Sequence, residues 1–172
     1  MKVNLKKLTL TAMFLALGLL LPFAFGQLKQ FGKMLLPMHI PVFLCSLICG
    51  WKYGLLLGFV LPLLRSALFS MPIFFPGACA MAFELAAYGF FADFIYSHLK
   101  KNISSLYISL ILAMILGRII WAIAQIILLG FIGKTFTFAA FVAGAFIEAF
   151  PGMILQLILI PLIIYKNEKI RS

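Results

Sequence analysis

The chain has 172 residues, of which 65% are hydrophobic, and its 14 Lys and Arg residues far outnumber its 4 Asp and Glu residues. A soluble domain of this length could not cover its surface with so few polar side chains, so the composition excludes a soluble enzyme and a disordered chain. The net charge of +10 does not indicate nucleic-acid binding, because the basic residues lie at the chain ends and between apolar runs, as in membrane proteins.

Six apolar segments follow one another along the chain, separated by charges, glycine or proline. A helix that spans a bilayer needs about 20 apolar residues, and the runs are continuous rather than alternating. We therefore predict an all-α integral membrane protein, a compact six-transmembrane-helix bundle that forms a single domain over residues 1–172. The predicted helices cover residues 8–25, 35–50, 53–69, 76–97, 103–131 and 139–165. The first is interpreted as a spanning helix rather than a cleavable signal peptide.

The distribution of basic residues predicts the orientation of this bundle. With the N-terminus inside, the inner segments carry nine Lys and Arg residues and the outer segments carry three. Because basic residues favour the cytoplasmic side, both termini are predicted to be cytoplasmic, in a bacterial-type plasma membrane.

The sequence offers no catalytic or metal-binding pattern. Cys45, Cys49 and Cys79 lie within apolar runs and are interpreted as small core residues. His39 and His98 fall on opposite sides of the predicted membrane, and no nucleotide-binding loop occurs. We therefore expect no enzyme activity, no cofactor, no metal site and no nucleic-acid partner.

Charged side chains at membrane depth are costly and usually functional. The predicted topology places two arginines and two glutamates, on four different helices, in the middle or outer half of the membrane. Arg118, Trp121 and Gln125 have the spacing of one helix face, and His39 lies at the outer start of the second helix. We predict an outward-opening, substrate-binding cavity covered by the connectors 26–33 and 70–77. Its predicted lining residues are His39, Arg65, Glu84, Arg118, Trp121, Gln125 and Glu148.

An alternative interpretation assigns the same charges to structure. Arg65–Glu84 and Arg118–Glu148 would then be ion pairs that brace the bundle. The two interpretations are compatible, since the wall of a binding site can also contain an ion pair.

Ala12 and Ala16 lie one turn apart on the first helix and form a strip of small side chains. Such strips allow a second helix to approach closely. The strip therefore predicts either internal packing or an interface with a partner subunit.

Three short patterns resemble a known family of membrane proteins. They are residues 8–16 (Leu-Thr-Leu-Thr-Ala-Met-Phe-Leu-Ala), residues 38–42 (Met-His-Ile-Pro-Val) and residues 49–60 with glycine at 50, 54 and 58. Together with six short helices and an outward cavity, they resemble the substrate-binding S components of energy-coupling factor (ECF) transporters. The resemblance implies a non-enzymatic protein that captures a vitamin or related micronutrient from outside. It also implies two kinds of partner, a membrane T subunit that contacts Ala12 and Ala16, and two cytoplasmic ATPases that drive release of the ligand inside.

The identity of the substrate stays open at this point. Two Arg and two Glu residues balance in charge, which favours a neutral or zwitterionic ligand, and 19 Phe residues favour an aromatic ring. Riboflavin, pyridoxine, pantothenate and a deazapurine precursor of queuosine all fit. If the ligand is pantothenate, Arg65 or Arg118 is expected to hold its carboxylate.

Two other functional classes are compatible with the sequence. A stand-alone secondary transporter or channel could use the intramembrane Arg/Glu pairs as a proton relay. The second of these classes is a non-transporting scaffold or an integral-membrane enzyme.

Overall fold

A computed structural model of the protein describes residues 4–26, 36–135, 137, 142–144 and 149–171, with side chains to residue 23 in the first helix and to residue 166 in the last. Regular structure in these ranges is entirely helical, which confirms the predicted all-α class. We name the six long helices α1 to α6. They are α1 (Leu5–Gly26), α2 (His39–Cys49), α3 (Trp51–Phe69), α4 (Cys79–His98), α5 (Ile103–Phe131) and α6 (Phe150–Arg171).

Four segments are long and apolar enough to cross a membrane, which supports a multi-pass membrane protein. They are Leu5–Phe23, Trp51–Phe69, Phe74–His98 and Ile103–Phe131. The apolar helices His39–Cys49 and Phe150–Lys166 are shorter. The sixth predicted helix began at residue 139, a part of the chain that is only partly described, so the count of six spans stays a prediction.

Helices α2 and α3 form a hairpin with a single connecting residue. That residue is Gly50, whose φ of 107° is a conformation that residues with a side chain rarely adopt. Within α2, Pro41 lies in the first turn, where a backbone N–H has no helical partner and proline is tolerated. The local sequence therefore fixes both ends of α2.

Helices α3 and α4 approach each other closely at three glycines. A Cβ atom at Gly54 would lie 2.6 Å from the carbonyl oxygen of Gly89, and a Cβ atom at Gly58 would collide with the backbone of Leu85. Ser46 of α2 joins this crossing, because its Oγ donates a hydrogen bond to the Gly89 oxygen at 2.6 Å. Small residues thus hold α2, α3 and α4 together as one unit.

Helix α1 packs on this unit through one face only. Gly18 lies against Leu61 of α3, and the Cys45 thiol of α2 donates a hydrogen bond to the Thr11 hydroxyl at 3.6 Å. Ala12 and Ala16 lie on the exposed face of α1. The small-residue strip is therefore not packed inside the bundle.

The three cysteines were predicted to be small core residues. Cys45 and Cys49 are buried as expected, whereas Cys79 is half-buried.

Asp93 links α4 to the start of α3. Its carboxylate oxygen Oδ2 accepts a hydrogen bond from the backbone N–H of Trp51 at 2.8 Å. Backbone N–H groups in the first turn of a helix have no partner within that helix. Asp93 therefore caps α3 from a neighbouring helix.

We expect Asp93→Ala to destabilise the protein by about 1 kcal/mol, the usual cost of losing a cap. The measurement is the midpoint of thermal unfolding in detergent, compared with that of the wild type. Asp93→Asn is the matched control, since the amide oxygen can still accept the Trp51 hydrogen bond and should restore most of the loss. Equal midpoints for Asp93→Ala and the wild type would show that the cap contributes nothing.

Candidate binding site within the bundle

Glu84 lies at the centre of a buried polar cluster formed by three helices. Its oxygen Oε1 lies 2.9 Å from Nη1 of Arg118 on α5 and accepts a hydrogen bond from the Tyr88 hydroxyl at 2.8 Å. Nε2 of His39, the first residue of α2, lies 3.7 Å from the same oxygen. We call His39, Glu84, Tyr88 and Arg118 the polar cluster. Arg118 is 6% exposed, Glu84 2% and His39 1%, so the cluster is enclosed rather than open to solvent.

Local sequence explains how these side chains meet. Glu84 and Tyr88 are one turn apart on α4 and therefore point to the same side of the helix. Gly117 of α5 faces them, and a Cβ atom there would collide with the ring of Tyr88. Because Gly117 has no side chain, Tyr88 can reach Glu84. Gly117 is followed directly by Arg118, which pairs with the same carboxylate.

The polar cluster lies near the middle of two candidate membrane spans. Glu84 is the eleventh of the 25 residues of Phe74–His98, and Arg118 is the sixteenth of the 29 residues of Ile103–Phe131. In a hydrocarbon core about 30 Å thick, such positions are expected near mid-depth. Charges there are tolerated only when they face the bundle interior and have partners.

Several donors around the cluster have no hydrogen-bond partner in the described part of the chain. They are Nε and Nη2 of Arg118, both ring nitrogens of His39, and Nε2 of Gln156 on α6. The 3.7 Å separation between His39 and Glu84 is electrostatic contact but too long for a hydrogen bond. Buried polar groups without partners are rare and cost free energy. The site can therefore bind a polar ligand without first breaking protein hydrogen bonds.

Comparison with protein families identifies what kind of protein holds this site. A family model described as the substrate-specific component of ECF transporters matches residues 6–164, nearly the whole chain. The chain belongs to this family. The match confirms the resemblance noted in the sequence, and it makes the protein a substrate-binding component of an ECF transporter, a family of transport proteins. Searches of curated proteins and of solved structures gave no match.

The structure brings together several of the residues predicted to bind substrate in this S component. His39, Glu84 and Arg118 meet in the polar cluster. The guanidinium carbon of Arg118 lies 6.0 Å from the centre of the Trp121 ring, within cation–π range. Gln125 is half-buried, about one turn further along α5. Glu148 lies outside the described residues, as does the predicted outer connector 26–33 apart from Gly26.

The alternative interpretation, which paired Arg65 with Glu84, is wrong at this point, because Glu84 pairs with Arg118. Nη1 of Arg65 instead donates a hydrogen bond to the Leu19 carbonyl of α1 at 2.7 Å. Its guanidinium lies 5.0 Å from the Phe23 ring centre and 5.7 Å from that of Phe69. Leu61, one turn before Arg65, packs on α1 as well. The face of α3 that carries Arg65 is therefore turned towards α1.

Three further residues contribute to the site. Tyr88 contacts Glu84 directly, Gly117 gives Tyr88 its space, and Nε2 of Gln156 has no hydrogen-bond partner in the described residues. Their spacing from Glu84 and Glu148 had already indicated Tyr88 and Gln156, whereas Gly117 was not assigned from the sequence. Gln156 lies one turn from both Met153 and Ile160, which pack in the same core as Tyr88. The four-residue spacing from Glu84 to Tyr88 was visible in the sequence, whereas the partner of Gly117 depends on how α4 and α5 pack.

Proposed function

We propose that this S component captures a vitamin or related micronutrient at the polar cluster and delivers it to the cytoplasm. A membrane T subunit and two cytoplasmic ATPases supply the energy, and the S component itself catalyses no reaction. The observation that carries the proposal is the set of buried donors on His39, Arg118 and Gln156 that find no hydrogen-bond partner among the residues the structure describes. A bundle braced only by ion pairs has no need of such donors, whereas a binding site presents them to its ligand.

The orientation is part of this proposal. Nine basic residues on one side against three on the other support cytoplasmic termini, so the connector 70–77 and the start of α2 face outward. The ligand then enters from outside, where Trp121 and Gln125, further along α5, lie between the polar cluster and the outer surface.

Ala12 and Ala16 are proposed to contact the T subunit. Both are exposed on α1, on the side that does not pack on the bundle. Small side chains there let a partner helix approach α1 closely. Large apolar residues surround them on the same exposed face, including Met13 and Leu17, which would add buried area to the interface.

We expect Ala12→Trp and Ala16→Trp to abolish uptake while leaving ligand binding unchanged. A bulky ring on the small-residue strip keeps the partner helix away, and neither alanine contacts the polar cluster. Binding is measured by calorimetry on purified protein, and uptake in cells that contain the T subunit and the ATPases.

Ala67→Trp is the matched control for this experiment. Ala67 is an exposed alanine of α3, so the same substitution there introduces an equal apolar bulk on another lipid-facing surface. Uptake should stay normal in this variant. Normal uptake by both α1 variants, or an equal loss in all three, would contradict the interface assignment.

The function itself is tested by purification and uptake. Mass spectrometry of the protein purified from membranes is expected to reveal a bound micronutrient. Uptake of that compound should disappear when the ATPases carry inactive nucleotide sites. Uptake that needs only a proton gradient would overturn the proposal and favour a stand-alone transporter.

A further inference from the structure

Arg118 presents two different edges of its guanidinium to its surroundings. Nη1 is occupied by the carboxylate of Glu84, whereas Nε and Nη2 have no partner in the described residues. These two atoms form a parallel pair of donors whose spacing matches the two oxygens of a carboxylate. A lysine would lack this edge, since its ammonium group is a point charge.

Two other buried side chains carry donors that have no hydrogen-bond partner in the described part of the chain. Nε2 of Gln156 can only donate, and at least one ring nitrogen of His39 donates in either protonation state. The main acceptor, Oε1 of Glu84, already receives Arg118 and the Tyr88 hydroxyl. A ligand must therefore bring acceptors to satisfy the site.

Arg65 bonds to the Leu19 carbonyl on α1, so it does not belong to the polar cluster. The cluster holds one arginine and one glutamate, whose charges balance as they do in the whole intramembrane set. A carboxylate would therefore be held by paired hydrogen bonds from the Arg118 edge rather than by a net positive charge.

From these contacts we infer that the substrate carries a carboxylate, which binds the Nε–Nη2 edge of Arg118. The inference rests on the proposed function and narrows its substrate class. His39 and Gln156 donate further hydrogen bonds to the same group or to a neighbouring carbonyl. Trp121, beside the guanidinium, packs against the adjoining part of the ligand.

The experiment compares acids with their neutral analogues on the purified wild-type protein. The probes are pantothenate against panthenol and nicotinate against nicotinamide, with riboflavin and pyridoxine as vitamins that lack a carboxylate. The measurement is the ligand-induced shift of the thermal midpoint, followed by calorimetry. We expect at least one acid to bind, and its neutral analogue to bind roughly 10- to 100-fold more weakly, as the loss of a charge-assisted bidentate contact implies.

Two variants test the role of the arginine edge. Arg118→Lys keeps the positive charge but removes the paired donors, so affinity for the acid should fall at least about 10-fold. Arg65→Lys makes the same change at the other buried arginine and should leave affinity for the acid within about 2-fold, because Arg65 contacts α1 instead. The comparison of acids with neutral analogues needs no variant, so it stands even if Arg118→Lys folds poorly.

Three outcomes would overturn the carboxylate assignment. They are equal binding of an acid and its neutral analogue, binding of riboflavin or pyridoxine alone, and no binding by any acid. Binding of a neutral vitamin would leave the proposed function intact, because capture of a micronutrient would still be demonstrated. If uptake did not depend on the ATPases, the proposed function would be contradicted, whichever ligand binds.

Discussion

Arg118→Met is expected to destabilise the protein by about 3–5 kcal/mol, the range for removing one partner of a buried ion pair. The reason is that Glu84, only 2% exposed, would lose its cationic partner in an apolar interior, where Tyr88 and His39 are its remaining polar neighbours among the described residues. The double variant Arg118→Met/Glu84→Leu removes both charges and should recover most of that loss, because buried ion pairs are often replaceable by apolar residues. The measurement is thermal and denaturant unfolding in detergent without ligand.

The same two variants should behave alike towards the ligand. Both remove the donor edge of Arg118, so both are expected to lose about 2–5 kcal/mol of binding free energy, the range for truncating one partner of a buried, hydrogen-bonded charge pair. Tyr88→Phe is a milder control, since it removes one hydrogen bond to Glu84 and should cost only about 1 kcal/mol of stability. A stable double variant that retains the full ligand-induced shift would show that the pair braces the bundle and does not bind substrate.

Gly58→Leu is expected to prevent folding, with a loss of stability beyond the roughly 1–3 kcal/mol usual for overpacking. A Cβ atom at Gly58 would meet the backbone of Leu85 and Ala86 rather than a side chain that can rotate away. Gly89→Leu should have the same effect, since its Cβ atom would collide with the backbone of Gly54. The measurement is the yield of monodisperse protein in detergent and the thermal midpoint of any that is recovered.

Gly130→Ala is the control for this pair. A Cβ atom at Gly130 meets no atom within 4 Å, and alanine favours a helix by about 1 kcal/mol over glycine. The control should therefore be neutral or slightly stabilising. If Gly58→Leu or Gly89→Leu matched it in stability, the close approach of α3 and α4 would not be important for the fold.

The helix boundary that followed most closely from the sequence is that of α5, whereas α1 begins three residues before its predicted start and α6 continues to Arg171, past its predicted end. The structure places α5 at Ile103–Phe131, the same residues as the sequence prediction, and Asn102 caps it by accepting a hydrogen bond from the Ser105 N–H at 2.7 Å. The start of α2 was predicted at residue 35 but lies at His39. Leu36 has a φ of 48° and precedes a proline, and both features disfavour a helix there.

The sequence predicted which charged residues are buried in the site, but it did not predict which of them form ion pairs with one another. Charges in apolar segments marked Glu84 and Arg118 as buried, since a charge facing lipid is costly. Which charge meets which depends on the rotation of each helix against its neighbours, and that rotation is set by packing. At Arg65, the contact of Leu61 with Gly18 turns the arginine towards α1, and helix periodicity alone carries no information about that contact.

The shortness of α2 has a consequence for how the protein enters the membrane. Eleven residues reach about 16 Å, roughly half of the hydrocarbon thickness. Nine of them are buried, so α2 gains little by contact with lipid and depends on α1, α3 and α4 for its favourable contacts. We therefore expect α2 and α3 to be integrated together as a hairpin around Gly50. A substitution that blocks the packing of α3 on α4 would then leave α2, and with it His39, exposed to proteolysis at the membrane surface during biogenesis.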